Sequence, residues 1–159
     1  MLKVKRLEDA RERLYAAKKL VEECNYAGAL SEAQRCIELS VKALLEELGI
    51  EYGEIKGKKK RVKVPHDVSE FIPDAIKRVE EHLEEFQVID LARAAVLLKL
   101  LTSIRNYLEY GVEYRNQVLV SSKELFDRFF GEKLVSIVIP FVERSYWTIH
   151  NVLLQIKGF

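Results

Sequence analysis

Tyr26-Ala-Gly-Ala-Leu-Ser-Glu-Ala-Gln-Arg-Cys-Ile-Glu-Leu-Ser-Val-Lys-Ala-Leu-Leu45 decides the fold class of this chain. Its apolar positions Tyr26, Leu30, Ala33, Ile37, Val41 and Leu44, continued by Leu48, recur at intervals of three and four over six turns. That rhythm keeps one face of a helix apolar and the opposite face wet. Asn25 supplies a side-chain acceptor for the helix start. Gly49 suits the left-handed position just past the end, with Ile50 available for the hydrophobic contact that accompanies such a stop.

The same rhythm extends both ways. Upstream, Leu7, Ala10, Leu14, Ala17 and Val21 form the spine of a first helix over about Leu7 to Glu23. Downstream, Asp67 with Glu70 reads as a capping box for a third helix carrying Ile72, Ile76, Val79, Leu83 and Phe86, with Pro73 in its first turn. Asp90 is expected to cap a fourth helix that runs to about Tyr110. Its middle, Leu91 to Leu101, is apolar nearly all round, so it belongs either at the centre of a bundle or against a subunit partner. After Gly111, the polar segment Arg115 to Ser122 is expected as a loop. Ser121 with Glu124 resembles a second capping box ahead of Leu125, Phe126 and Phe129, and a last helix spans about Glu132 to Lys157 around Pro140. No strand pair with a hairpin signal is visible. The expected fold is therefore all-α, an antiparallel up-and-down bundle of five or six helices in one domain covering residues 1–159.

Composition agrees. The 159 residues are 48% hydrophobic with only 7 Gly and 3 Pro, enough for a core and poor in the residues that punctuate sheets. The 26 Lys+Arg against 25 Asp+Glu exclude a bulk polycation, so any nucleic-acid contact must be local. Met1 to Arg13 carries five Lys and Arg residues with no apolar block, and Ala94 to Leu101 is far too short for a bilayer span. A cytoplasmic protein with no membrane association is expected. Cys24 and Cys36 lie twelve apart without a CxxC pattern and are read as reduced, structural residues in helical segments. No phosphate-cradling glycine loop is present, and His66, His82 and His150 sit on separate segments without HExxH spacing, so no cofactor or metal is expected.

Three stretches could carry chemistry. Arg105 and Asn106 are followed by Tyr107, Tyr110 and Tyr114, which share one side if the helix continues. Arg, Asn and Tyr offer phosphate recognition, hydrogen bonding and base stacking. The competing reading, favoured on side-chain chemistry alone, pairs Arg105 with a carboxylate and seals a seam with the tyrosines. The basic run Lys56 to Lys63, with Lys58, Lys59, Lys60 and Arg61 at its centre, either contacts RNA phosphates or forms a solvated loop. His66 beside the Asp67 cap is either a proton carrier or part of the cap.

The order of these residues resembles a known family. The helix Tyr26 to Leu45 followed by Gly49, then His66-Asp67-Val68, then Arg105-Asn106, is similar to the HEPN domain, a small all-α module of prokaryotic toxin-antitoxin and defence systems. The likeness runs over roughly Leu7 to Tyr114. Active HEPN proteins are metal-independent ribonucleases that pair an arginine, usually followed by a polar residue, with a histidine after four to six intervening residues, and two subunits bring these groups together. Arg105 and Asn106 match the first two positions. The histidine would fall at 110, 111 or 112, which hold Tyr110, Gly111 and Val112. Histidine is the group whose proton affinity suits work at the RNA 2′-hydroxyl near neutral pH, and tyrosine, at about 10, is a poor substitute. The resemblance thus implies a degenerate member that forms a homodimer and binds RNA, a nucleotide or a partner such as a small nucleotidyltransferase without cleaving. Two alternatives stay open: a ribonuclease using Arg105 with another base, His66 being the nearest in motif position, and a helical interaction module with no nucleic-acid role.

Overall fold

The computed structural model describes residues 5–53 and 67–157. The basic run with Lys58, Lys59, Lys60 and Arg61, and His66, lie outside the described residues.

Helix α1 (Lys5–Glu22) turns through Cys24 into α2 (Tyr26–Glu47), as the periodicity requires. Leu7, Ala10, Leu14 and Ala17 of α1 are buried against α2. Asn25 caps α2 by accepting from the Gly28 amide at 3.0 Å. At the other end Gly49 adopts φ +69°, its amide donating to Glu46 and that of Ile50 to Leu45, so the helix stops on a left-handed residue with Ile50 buried below. Cys24 corrects the sequence reading in part: Cys36 is buried within α2, but Cys24 sits exposed in the turn at φ +59°.

The third segment is more broken than expected. Asp67 accepts from the Ser69 amide at 3.0 Å, closing a local turn in place of a box with Glu70. A short 3-10 turn leads into α3 (Ile72–Val79), which Pro73 enters at its first turn. Another 3-10 turn follows, and α4 (Glu85–Ser103) begins earlier than expected. Its start is held by a reciprocal box between Glu84 and Gln87. Asp90 is not the cap. It lies one turn inside α4, 4% exposed, accepting from Arg144 Nε at 3.1 Å and Thr148 Oγ1 at 3.1 Å. A buried carboxylate needs such partners, and these come from the last helix, out of reach of any local pattern.

The fourth helix also ends sooner. Ile104, at φ −97° and ψ 2°, separates α4 from a short α5 (Arg105–Tyr110). Gly111 halts α5, and the expected loop after it is a two-stranded antiparallel hairpin: β1 (Val112–Tyr114) and β2 (Gln117–Val120). Arg115 and Asn116 both take positive φ, 51° and 61°, the two-residue turn whose twist matches a hairpin. A π-helical turn over Glu124–Phe130, its entrance held by the Glu124 amide donating to Ser121 Oγ, runs into α6 (Gly131–Ile156). Asp127 of that turn accepts from the Tyr26 and Ala27 amides at 2.9 and 3.3 Å and so secures the start of α2.

The all-α class holds, with one small sheet added. α2 is the central helix, packed on α1 and α6, while α4 lies on α6. Leu30, Ile37, Leu44, Leu98, Ile149 and Leu153 are fully buried where these helices meet. The apolar girdle of α4 is divided: Leu91, Ala94, Leu98 and Leu101 enter the core, whereas Ile89, Val96 and Leu100 stay exposed beside Phe141 of α6, itself expected inside. Among the described residues no helix is long and apolar enough to cross a membrane.

Candidate functional site

The break at Ile104 creates the site. It re-aims the chain so that α5 packs Leu108 inward, 5% exposed, and presents the rest of its short surface outward. Asn106, Tyr107 and Tyr110 then stand exposed together. With Ser103, Gly111 and Glu113 they line a groove of about 420 Å³ between the end of α4 and the hairpin. Ser103 Oγ donates to Leu100 O at 2.6 Å and closes the last turn of α4. Tyr114 does not join its two neighbours as a continuous helix would require. Gly111 turns the chain away, and Tyr114 lies on β1 with the Arg115 guanidinium 5.1 Å from its ring centre.

Gly111 is required by this geometry. Its φ of +70° with ψ −148° is open essentially to glycine alone. A β-carbon there would fall 2.2 Å from the Val120 carbonyl oxygen and 2.7 Å from the Ser122 amide. The hairpin therefore closes over bare backbone at the floor of the groove.

Arg105 sits at the inner edge of α5 with its side chain 21% exposed. Its Nε donates to Glu109 Oε1 at 3.2 Å, one turn along, and its Nη1 lies 3.9 Å from Glu38 Oε1 of α2. Glu38 is part of a buried polar row. Gln34 Nε2 donates to Glu38 Oε1 at 3.3 Å, and Lys42 Nζ stands 3.6 Å from Glu38 Oε2, all on one α2 face at spacings of four. Lys42 also stacks on the Tyr52 ring at 5.8 Å, and the Tyr52 hydroxyl donates to Glu46 Oε1 at 2.6 Å. Burial holds the Lys42 ammonium below the usual lysine range, with Glu38 pulling it partly back. Burial and then the Glu46 hydrogen bond push the Tyr52 hydroxyl up to about 12.

Arg105 thus pairs with carboxylates, as the plainer sequence reading held, and also borders the exposed Asn106, Tyr107 and Tyr110. The sequence reading missed Glu38, Lys42, Glu109 and Glu113. The first two were signalled by the Gln34, Glu38, Lys42 and Glu46 stripe at spacings of four along α2; the last two needed the α5 break and the hairpin. Among the described residues no group of three or more His, Cys, Asp and Glu is placed to hold a metal ion.

The fold and site define a small helical-bundle domain with its polar, aromatic groove at the end of the fourth helix. A model of the HEPN domain matches residues 4–112, more than half of the chain and all of α1 to α5, and the protein belongs to the HEPN domain family. Membership associates it with nucleotide- or RNA-related, toxin or defence-type roles. No curated protein and no solved structure matches the chain.

Proposed function

We propose that this protein is a degenerate HEPN member that binds a phosphate-bearing ligand, RNA or a nucleotide, without cleaving it. The observation that carries this reading is the half-buried Arg105 at the inner edge of α5, next along the same short helix to the exposed Asn106, Tyr107 and Tyr110 that line one groove. A guanidinium is the side chain suited to phosphate oxygens, phenol rings offer stacking faces and an amide reads base edges. Tyr110, Gly111 and Val112 occupy the positions where the family's histidine is expected, so the group that would move the 2′-hydroxyl proton is missing. A small nucleotidyltransferase is the proposed protein partner, in a toxin–antitoxin or defence setting.

The protein acts as a homodimer in this reading. HEPN domains commonly dimerise, and the exposed Ile89, Val96 and Leu100 of α4 join Phe141 of α6 in an apolar face around a groove of about 490 Å³. A face of that kind on a small domain marks a protein contact. Light scattering at high micromolar concentration should give twice 18.5 kDa, and a monomer mass would remove the dimer from the account.

Incubation of purified protein with mixed RNA in chelator, beside an Arg105→Ala variant, tests the ligand reading. Retention of labelled RNA without fragments, lost in the variant, is expected. Arg105-dependent cleavage would replace the binding role by a ribonuclease with a non-standard base, and absence of both binding and cleavage at low and moderate salt would leave an interaction module.

A further inference from the structure

We propose that Glu109 is a tethered competitor for the phosphate at Arg105, and that Glu38 is the positioning residue holding the guanidinium from behind. The inference rests on the ligand reading above and adds how that site is regulated. A guanidinium presents its donors as a planar fork that suits a carboxylate and a phosphate equally well. Among the described residues, the carboxylates of Glu38 and Glu109 stand at Arg105, and they differ in what surrounds them. The Glu38 side chain is 10% exposed, fixed by Gln34 and balanced by the buried Lys42. Withdrawing it would strand charges away from water, which is expensive. The Glu109 side chain is 31% exposed on a six-residue helix, and its hold on Arg105 is a single pair one turn apart. Such a pair is weak, because water takes up the carboxylate when it leaves.

An arriving phosphate therefore displaces Glu109 and leaves Glu38 in place. Asn106, Tyr107 and Tyr110, on the same short helix, are where the attached sugar and base would rest. With Glu109 seated, the site repels weak anions and admits a ligand only when stacking on the tyrosines adds to the phosphate contact. Glu109 thus sets a threshold that a bare phosphate does not meet.

The test measures the affinity of wild type, Glu109→Gln, Arg105→Ala and the double variant for a labelled short single-stranded RNA of mixed sequence, repeated with 5′-AMP and inorganic phosphate as competitors. Glu109→Gln should tighten RNA binding by about two- to fivefold, the fold-change equivalent of an exposed ion pair, and should make inorganic phosphate a better competitor. The gain should vanish in the double variant. A structural role for Glu109 would weaken binding and so contradicts the proposal. An equal gain in the Arg105→Ala background would show a bulk charge effect and overturn it. Unchanged affinity in Glu109→Gln, with loss in Arg105→Ala, would refute the competitor while leaving the ligand reading intact. Wild-type affinity in Arg105→Ala, or no binding by any variant, would refute both. Glu38→Gln, checked for folding by circular dichroism, should weaken RNA binding, with partial recovery in Glu38→Asp; full affinity in Glu38→Gln would remove its positioning role.

Discussion

Replacing Gly111 by alanine tests whether the groove is built as described. Two costs add at this position. The backbone conformation, φ +70° and ψ −148°, disfavours any side chain, by about 1–3 kcal/mol. The new β-carbon would lie 2.2 Å from the Val120 carbonyl oxygen, where real contacts essentially never fall under 3.0 Å, and the obstructing atoms are backbone. Relief requires the hairpin to move away from α5, a distortion costing about 1–3 kcal/mol more. The expected loss is about 2–6 kcal/mol, a large part of the stability of a small domain. Gly49 provides the control. Its φ is nearly the same, +69°, but a β-carbon there meets nothing within 4 Å, so Gly49→Ala should cost only the backbone preference, about 1 kcal/mol. Urea unfolding followed by circular dichroism measures both. Equal losses for the two variants would refute the close approach of Val120 to Gly111, and with it the floor of the groove.

Three further outcomes follow from the packing. Burial pushes the Cys36 thiol up to about 12, so a thiol reagent near pH 8 should label the exposed Cys24 at once and Cys36 only in denaturant; two fast thiols in the native protein would contradict the core. Tyr52 is held protonated by burial and by Glu46, raised from 10.0 to about 12. Its stabilising contribution is therefore complete below pH 10 and is lost as pH rises through 12, so the stability difference between wild type and Tyr52→Phe should shrink over that window; a difference that grows would reverse the assignment. Asp90→Ala removes the acceptor for Arg144 and Thr148 and should cost about 1–3 kcal/mol in urea unfolding, whereas a neutral effect would show that the α4 to α6 polar contact adds nothing.

The helices were legible because burial imposes their period on the sequence. Leu30, Ala33, Ile37, Val41 and Leu44 face the core in register with the reading that opened the sequence analysis. Failures arose where a partner far along the chain decides the outcome. Asp90 carries the composition of a cap, yet its acceptors are used by side chains 54 and 58 positions away. The hairpin was missed because Arg115-Asn116 lacks the glycine that usually announces a left-handed turn, although Val112-Glu-Tyr114 and Gln117-Val-Leu-Val120 carry β-favouring residues. The site was partly legible for the same reason. Arg105, Asn106, Tyr107 and Tyr110 are close in sequence and share one short helix, but Tyr114 leaves with the hairpin and Glu38 arrives from a helix more than sixty residues earlier.

The central claim is that ligand meets this protein at the α5 groove. Backbone amide chemical-shift mapping during titration with a short single-stranded RNA tests it most directly. The largest shifts are expected at Arg105, Asn106, Tyr107, Tyr110 and Gly111, and they should be lost in Arg105→Ala. Shifts confined to α1 and α6, where the Arg11 guanidinium lies 5.5 Å from the Tyr15 ring centre and 5.6 Å from that of Trp147, would contradict it.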